Sequence, residues 1–452
     1  MTLPAARSGG GSLDRWFGVT DAGSTIGGEL RGGLTTFVTM SYIVVVNANM
    51  LQQAGIPFAD AVFATCVSAA VGTLLMALLA NYPFALAPGM GMNAYFSFSV
   101  VPGVATAIGP GDPDRAWRVA LGLVGWSGVL FLLATWLEVR SKVMRAIPDT
   151  LQLAVSAGIG VFIAFLGLQG AGIVVDNPAT LVGLGDLRTP QVVVALVGLL
   201  ITAGLWVRRV PGALLLGILL TTVGAVIVGD IDAPAAWVAT PQARATFLRW
   251  DLLGALDWRF LDILVALLFV DFFDTMGTLV GVGVQGGFMD EKGHLPRDVR
   301  AMTADAAATV TGAALGSSPV TTYIESAAGI ASGARTGLAN MVVAAGFCGA
   351  MFFVPALAAV PTFATAPALI IVGSLMAAGL GRLDWDDPGE SIAAFVTTLA
   401  IPLTFSVSSG LAVGVATYIG AKAVGGRARE IAPIIWGLGV VFALRYLLLP
   451  GA

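Results

Sequence analysis

Apolar runs of about 17 to 23 residues recur along nearly the whole chain, separated by short polar or glycine- and proline-rich breaks. An α-helix needs about 20 apolar residues to cross a bilayer. The runs predict fourteen segments at 31–52, 60–80, 93–101, 117–137, 151–171, 191–207, 212–229, 262–284, 300–316, 320–331, 338–360, 366–381, 391–405 and 408–424. A further apolar run, 432–449, carries Arg445 and either spans or lies against the membrane. The pattern is that of an all-α polytopic membrane protein. The alternating segments of about 10 residues that build a membrane barrel are missing.

The segments fall into two sets of seven, separated by a long loop at about 230–261. Pro148 and Pro367 each open a glycine-rich helix, and 212–229 resembles 410–426. Seven is odd, so the second set enters the membrane from the opposite side, giving an inverted repeat, an arrangement common among secondary transporters. The alternative is that glycine- and alanine-rich helices resemble one another by composition.

The third segment of each set is interrupted. Pro88, Gly89 and Gly91 break the first, whose apolar stretch is too short to span; Gly316 and Pro319 break the second. Backbone freed by such breaks cannot face lipid, so it is buried in protein or lines a cavity. Matching broken segments in both halves point to a ligand site near the midplane.

Composition agrees with the pattern: 57% of the 452 residues are hydrophobic and 11% charged. With the N-terminus cytoplasmic and the segments alternating, inside positions hold Arg7, Arg15, Arg31, Arg140, Lys142, Arg145, Arg208, Arg209, Lys292, Arg297, Arg300, Arg335, Arg382, Lys422, Arg427 and Arg429, sixteen in all. Outside positions hold six: Arg115, Arg118, Arg188, Arg244, Arg249 and Arg259. Positive-inside bias supports a multi-pass protein of the cell membrane in that orientation. Residues 1–18 have no apolar core, so no cleaved leader is expected, and 12–19 suit a short interfacial helix. Cys66 and Cys348 lie in apolar runs without metal-ligand neighbours and read as inert thiols. The one histidine, His294, sits in a charged loop, which argues against a histidine metal site or a serine–histidine triad; no metal and no cofactor is expected.

The informative exceptions are acids inside apolar runs. Asp271 and Asp274 lie in 262–284, Asp305 in 300–316, and Glu325 in 320–331. A carboxylate at the bilayer centre costs about 2.5–3.5 kcal/mol on insertion scales, and such groups mark functional sites. Asp274 and Thr278 are four residues apart on one helix face, which Asp271 partly shares. Asn93 begins the short helix of the first half; if the broken segments meet, Asn93, Asp274 and Glu325 converge on one pocket. Structural alternatives stand beside these roles. Asp271 would bond a hydroxyl on a neighbouring helix, Asp305 would brace the broken segments, and Asn93 would cap its helix. With no Lys or Arg at membrane depth nearby, the pocket suits a cation, a proton or a neutral molecule rich in N–H donors. A carboxyl that binds substrate in only one protonation state couples transport to protons. The acidic run 384–390 reads as a solvated loop, and the glycines of 281–286 as helix-packing residues.

Three blocks, APGMGMNAYF at 87–96, FVDFFDTMGTLVGV at 269–282 and GSSPVTTYIESAAGIASGARTGL at 316–338, carry a family likeness, supported by 31–51 and 427–433. The chain resembles the AzgA-like adenine, guanine and hypoxanthine permeases of the nucleobase–ascorbate transporter family over nearly its whole length. The resemblance implies fourteen helices in two inverted repeats, with short extended stretches in the third and tenth segments. It implies a core domain at 31–137 and 262–360, a gate domain at 148–229 and 366–424, and a C-terminal apolar segment at 425–452. By the same likeness the protein is a homodimer that moves purine nucleobases with protons by an elevator motion, without nucleic acid or catalysis. Carried over by residue, Asp274 and Glu325 bind the base and Asn93 shapes specificity. Tyr323 and the Ile324 backbone flank the ligand, and Asp305 supports the site or the proton route. Pro319 departs from the small hydroxyl residue expected there and removes one N–H donor. An anion carrier on the same fold and an intramembrane enzyme are the rival readings.

Overall fold

The computed structural model describes residues 11–112, 114–137, 148–232, 234, 236–241, 246–291 and 294–448. Arg7, Arg140, Lys142, Arg145, Arg244 and Lys292, which entered the charge count, lie outside the described residues, as do the first ten residues of the leader argument.

Among the described residues the chain is mostly helical, with two short strand pairs. A surface helix, α1 (Ser12–Phe17), leads into α2 (Ile26–Met40) and α3 (Ile43–Gln53), which together make one broken span. Next come α4 (Phe58–Leu75), strand β1 (Leu86–Pro88), α5 (Met90–Tyr95), α6 (Val101–Ile108) and α7 (Arg115–Trp136). The first half ends with α8 (Asp149–Gly170), the exposed hairpin β2 (Val174–Asn177) and β3 (Leu181–Leu184), α9 (Pro190–Val207) and α10 (Ala213–Val228). The second half repeats this order: α11 (Leu261–Gly286), α12 (Asp298–Leu315), strand β4 (Val320–Thr322), α13 (Ser326–Ala331), α14 (Gly337–Ala350), α15 (Val354–Ala358), α16 (Thr362–Ala377), α17 (Pro388–Thr404) and α18 (Val407–Val424). The helix α19 (Pro433–Leu448) packs on α18. Among the described residues, nine helical stretches are long and apolar enough to cross a membrane.

The packing has the exchange symmetry of an inverted repeat. Helix α2 packs on α14 as α11 packs on α7, and α4 on α14 as α12 on α7. In the other bundle α8 packs on α17 as α16 packs on α9. The twofold relation is most direct where α8 crosses α16. A Cβ on Gly160 would lie 2.6 Å from the Gly373 carbonyl oxygen, and a Cβ on Gly373 would clash with the Gly160 carbonyl. Only glycine at both positions lets these backbones touch, the close approach on which membrane helix packing relies.

Three sequence expectations change. Pro367 does not open its helix; it lies inside α16, and the residue equivalent to Pro148 is Pro361, each standing immediately before its helix. The third segment is not short, because α5 runs through a π turn at 96–100 into α6 and ends only at Ile108. Pro102 lies inside this continuous helix, two residues beyond the π turn, where the regular α ladder is already interrupted. The run 384–390 is not simply solvated. Asp387 pairs with Arg427 at 2.8 Å, and Glu390 pairs with Lys422, which is 4% exposed and also bonds Glu430. These ion pairs tie the start of α17 to the end of α18. Both cysteines are free, Cys66 buried and Cys348 exposed.

Candidate functional site

The two breaks meet. β1 and β4 pair antiparallel, Leu86 opposite Thr322, Ala87 opposite Thr321 and Pro88 opposite Val320. Two three-residue strands leave many backbone groups unpaired, and neighbouring side chains complete them. Thr73 Oγ1 donates to the Leu86 carbonyl (2.9 Å) and accepts from the Leu86 N–H (3.0 Å). Asn340 Nδ2 donates to the carbonyls of Tyr82 and Phe84. On the other strand, Asp305 Oδ1 accepts from the Thr322 N–H (2.9 Å) and hydroxyl (2.8 Å), and Thr309 donates to the Val320 carbonyl (2.9 Å). Extended backbone is therefore carried at membrane depth with its polar groups met by protein, as lipid requires.

Asp305 Oδ2 also accepts from the Thr275 hydroxyl (2.7 Å), which stands 3.1 Å from the Thr321 hydroxyl. Asp305 thus joins α12, β4 and α11, and it is fully buried. Asp271 is fully buried as well. Its Oδ2 lies 3.3 Å from the Thr309 hydroxyl, whose one proton it shares with the nearer Val320 carbonyl, and its Oδ1 has no hydrogen-bond partner among the described residues.

Asp274 and Glu325 differ from these two. Both are partly exposed, and their carboxylates are within electrostatic range of one another. Asp274 leans over the beginning of α5, where a Cβ built on Gly89 would stand 3.7 Å from its Oδ2. The same Cβ would meet the Thr321 methyl at 2.6 Å, so glycine at 89 allows the strand crossing and keeps the space beside Asp274 open. Glu325 immediately precedes α13, and its Oε1 accepts from the Tyr42 hydroxyl at 2.9 Å. Tyr42 sits at the break between α2 and α3.

Asn93 does not cap its helix. It lies within α5, beyond the first turn, and is fully buried. Its Nδ2 reaches back to the Pro88 carbonyl (3.3 Å), and its Oδ1 accepts from Ser318 (2.6 Å). A side chain that far into a helix is past the first N–H groups it would need to cap. The Pro88 carbonyl also accepts from the Tyr323 hydroxyl, and Tyr323 is buried. Ile324 is 54% exposed and projects away from the buried network. Thr278 is partly buried, one turn beyond Asp274 on α11.

Sequence reasoning missed Tyr42, Thr275 and Thr321. The polar pair Ser41-Tyr42 inside an otherwise apolar run was the available signal for the first. The two threonines gave none, because hydroxyls are common in membrane helices and their partners come from distant segments. Chemically, the arrangement offers two partly exposed carboxylates, both carried by the second repeat, Asp274 on α11 and Glu325 at the start of α13, with no salt-bridge partner for either among the described residues. It can accept several N–H hydrogen bonds.

A broken-helix crossing inside two interlocked membrane repeats defines a multi-pass membrane permease. A model described as a permease family matches residues 27–413, and the chain belongs to that family. It is 42% identical to the guanine/hypoxanthine permease PbuG of Bacillus subtilis, over 97% of this chain and all of that one. It is 38% identical to the adenine permease AdeP of Escherichia coli, over 97% of this chain and 96% of that one. The fold is similar to the transmembrane domain of the cyanobacterial bicarbonate transporter BicA, with a TM-score of 0.64 at 17% identity, covering 86% of this chain and 97% of that chain.

Proposed function

We propose that the protein imports purine nucleobases, adenine, guanine and hypoxanthine among them, together with protons. The observation that carries this reading is the contrast among the four membrane acids. Asp271 and Asp305 are sealed into the scaffold, whereas Asp274 and Glu325, also of the second repeat, are partly exposed beside the crossing to which the first repeat contributes Gly89 and Tyr42. A neutral, flat base with ring and exocyclic N–H groups fits between two such acceptors. The names of the relatives point the same way.

In this reading Asp274 and Glu325 grip the edge of the base, and Thr278, Tyr323 and the Ile324 backbone flank it. Asn93 acts indirectly, by fixing the Pro88–Ser318 contact that sets the shape of the crossing. Asp271, Asp274 and Asp305 lie within electrostatic range of one another, and among the described residues no Lys or Arg pairs with them, so a proton held by this cluster serves as the coupled ion. Residues 31–137 and 262–360 form the moving core, and 148–229 and 366–424 the gate through which two copies associate. The N-terminus is cytoplasmic.

Radiolabelled purine uptake by cells making the protein tests the proposal. Saturable accumulation that collapses with a protonophore is expected; no saturable uptake of any purine by correctly inserted protein rejects it. The fold shared with BicA leaves anion transport as the rival. Two unneutralised carboxylates oppose an anion, so sulfate should not compete with purine uptake.

A further inference from the structure

Four side chains lock α11, α12 and β4 together as two matched pairs. Asp271 and Thr275 lie four residues apart on one face of α11, as Asp305 and Thr309 do on α12. Each threonine reaches the acid of the other helix. Thr275 donates to Asp305 Oδ2 (2.7 Å), and the Thr309 hydroxyl stands 3.3 Å from Asp271 Oδ2. The two acids are nonetheless supplied with donors in opposite ways.

Asp305 accepts three hydrogen bonds, one from the Thr275 hydroxyl and two from the N–H and hydroxyl of Thr322. Such surroundings suit an ionised carboxylate, which can only accept. Asp271 has no donor to itself. The Thr309 hydroxyl has one proton and stands nearer the Val320 carbonyl (2.9 Å). Pro88, opposite Val320 in the strand pair, has no N–H to give that carbonyl instead. Asp271 Oδ1 has no hydrogen-bond partner among the described residues and is sealed from water. An ion stripped of water, donors and a counter-charge costs several kcal/mol.

A proton on Asp271 resolves the count. The acid O–H at Oδ2 donates to the Thr309 oxygen, Thr309 donates to Val320, and each proton has one acceptor. Oδ1 is then an uncharged carbonyl oxygen, which is far less costly to bury without a partner than a charge. The charged groups in range of Asp271 are Asp305, from α12, and Asp274, one turn further along α11. The other elements packed on α11, namely α5, α7, α8, α13, β4, α18, α19 and the turn at 258–260, bring no described charged side chain into that range. Both neighbours are acids, and a negative charge on either repels one on Asp271.

We infer that Asp271 is the seat of the coupled proton. This rests on the proposed proton-coupled purine uptake and names the group that carries the proton. While Asp271 is the neutral acid, Asp274 is a carboxylate and accepts from the N–H groups of the base. The base is released by a proton shift. Asp271 turns from acid to carboxylate as Asp274 turns from carboxylate to acid, with no net change in charge. The Asp271 carboxylate then draws the Thr309 proton from the Val320 carbonyl, so the shift is felt in β4, opposite Pro88. Asp274, the partly exposed member of the pair, passes the proton to water.

The test uses the full-length protein, purified and in cells, with hypoxanthine as probe. Asparagine is close in shape to the neutral acid and keeps a donor for Thr309. Asp271→Asn should therefore insert, melt as the parent does, and exchange labelled for unlabelled hypoxanthine across the membrane. It should lose the protonophore-sensitive accumulation of the parent. Infrared spectra of the purified protein give a readout free of transport. A carbonyl band of a protonated carboxyl should be present in the parent and in Asp274→Asn, and missing from Asp271→Asn. Failure of Asp271→Asn to insert, or a parent spectrum without that band, overturns the neutral acid. An inserted Asp271→Asn protein that exchanges no hypoxanthine, or still concentrates it, overturns the carrier role and leaves purine uptake standing. A parent that neither binds nor accumulates any purine removes the proposed function and the carrier role with it, while the infrared band still decides whether Asp271 holds a proton.

Discussion

The Tyr42 hydroxyl donates a 2.9 Å hydrogen bond to Glu325, 283 residues further along the chain. This contact joins the break in the first span to the break in the second repeat. It fixes the orientation of the Glu325 carboxylate. Tyr42→Phe removes the donor and keeps the ring. Hydrogen bonds to charged groups contribute about 1.5–3 kcal/mol. The KM for purine uptake should therefore rise at least about 10-fold, with thermal stability close to the parent. Uptake kinetics alongside a melting curve in detergent would check it; parental KM would show that Glu325 is positioned by something else.

Asp274 and Asp305 should separate binding from scaffolding. Asp274→Asn preserves shape at a partly open position, so the protein should insert and melt as the parent does while accumulating no purine. Asp305→Ala strands the Thr322 N–H and two hydroxyls inside the protein. Each unmet group costs about 1–3 kcal/mol, so this variant should lose about 3 kcal/mol or more of stability. Comparable melting of the two variants would contradict the division.

Gly89→Ala places a methyl 2.6 Å from the Thr321 side chain and beside Asp274. Overpacking of this kind costs about 1–3 kcal/mol. Reduced uptake is expected even where expression is normal, because the strand pair must shift next to the site. A variant with unchanged uptake would mean that the crossing tolerates the added volume.

The ion pair at the α17–α18 end predicts a pH window. The Arg427 guanidinium, helped by the Gly389 N–H, holds the Asp387 carboxyl down at about 2. An unfolded aspartate titrates near pH ~4. A carboxyl depressed on folding contributes stability that is complete above that value, and the contribution declines as pH falls from about 4 to about 2. Arg427→Gln should therefore lower the melting temperature at pH 7 and leave the difference from the parent smallest near pH 2. A difference independent of pH would exclude this pair as its source.

Much of the scaffold could be read from the chain because a bilayer imposes strict rules. Run length set the spans, odd-numbered halves set the inversion, and unpaired acids in apolar runs marked Asp271, Asp274, Asp305 and Glu325 as the residues to follow. The mistaken start at Pro367 has a plain cause. A proline is a signal of a helix boundary only by local chemistry, and membrane helices keep interior prolines when neighbours satisfy the freed carbonyl.

What sequence determined by itself was the inventory: a polytopic helical membrane protein, two mirrored halves, broken third segments and four acids at membrane depth. Tertiary structure decided which acids are sealed and which are open, because burial depends on partners far apart in the chain. Thr322 and Thr275 close over Asp305, and Thr309 reaches Asp271, while the missing side chain of Gly89 leaves room beside Asp274 and Tyr42 holds the partly exposed Glu325. The hydrogen bonds of Asn93 have the same origin, since Pro88 and Ser318 take up its amide only once the two strands have crossed.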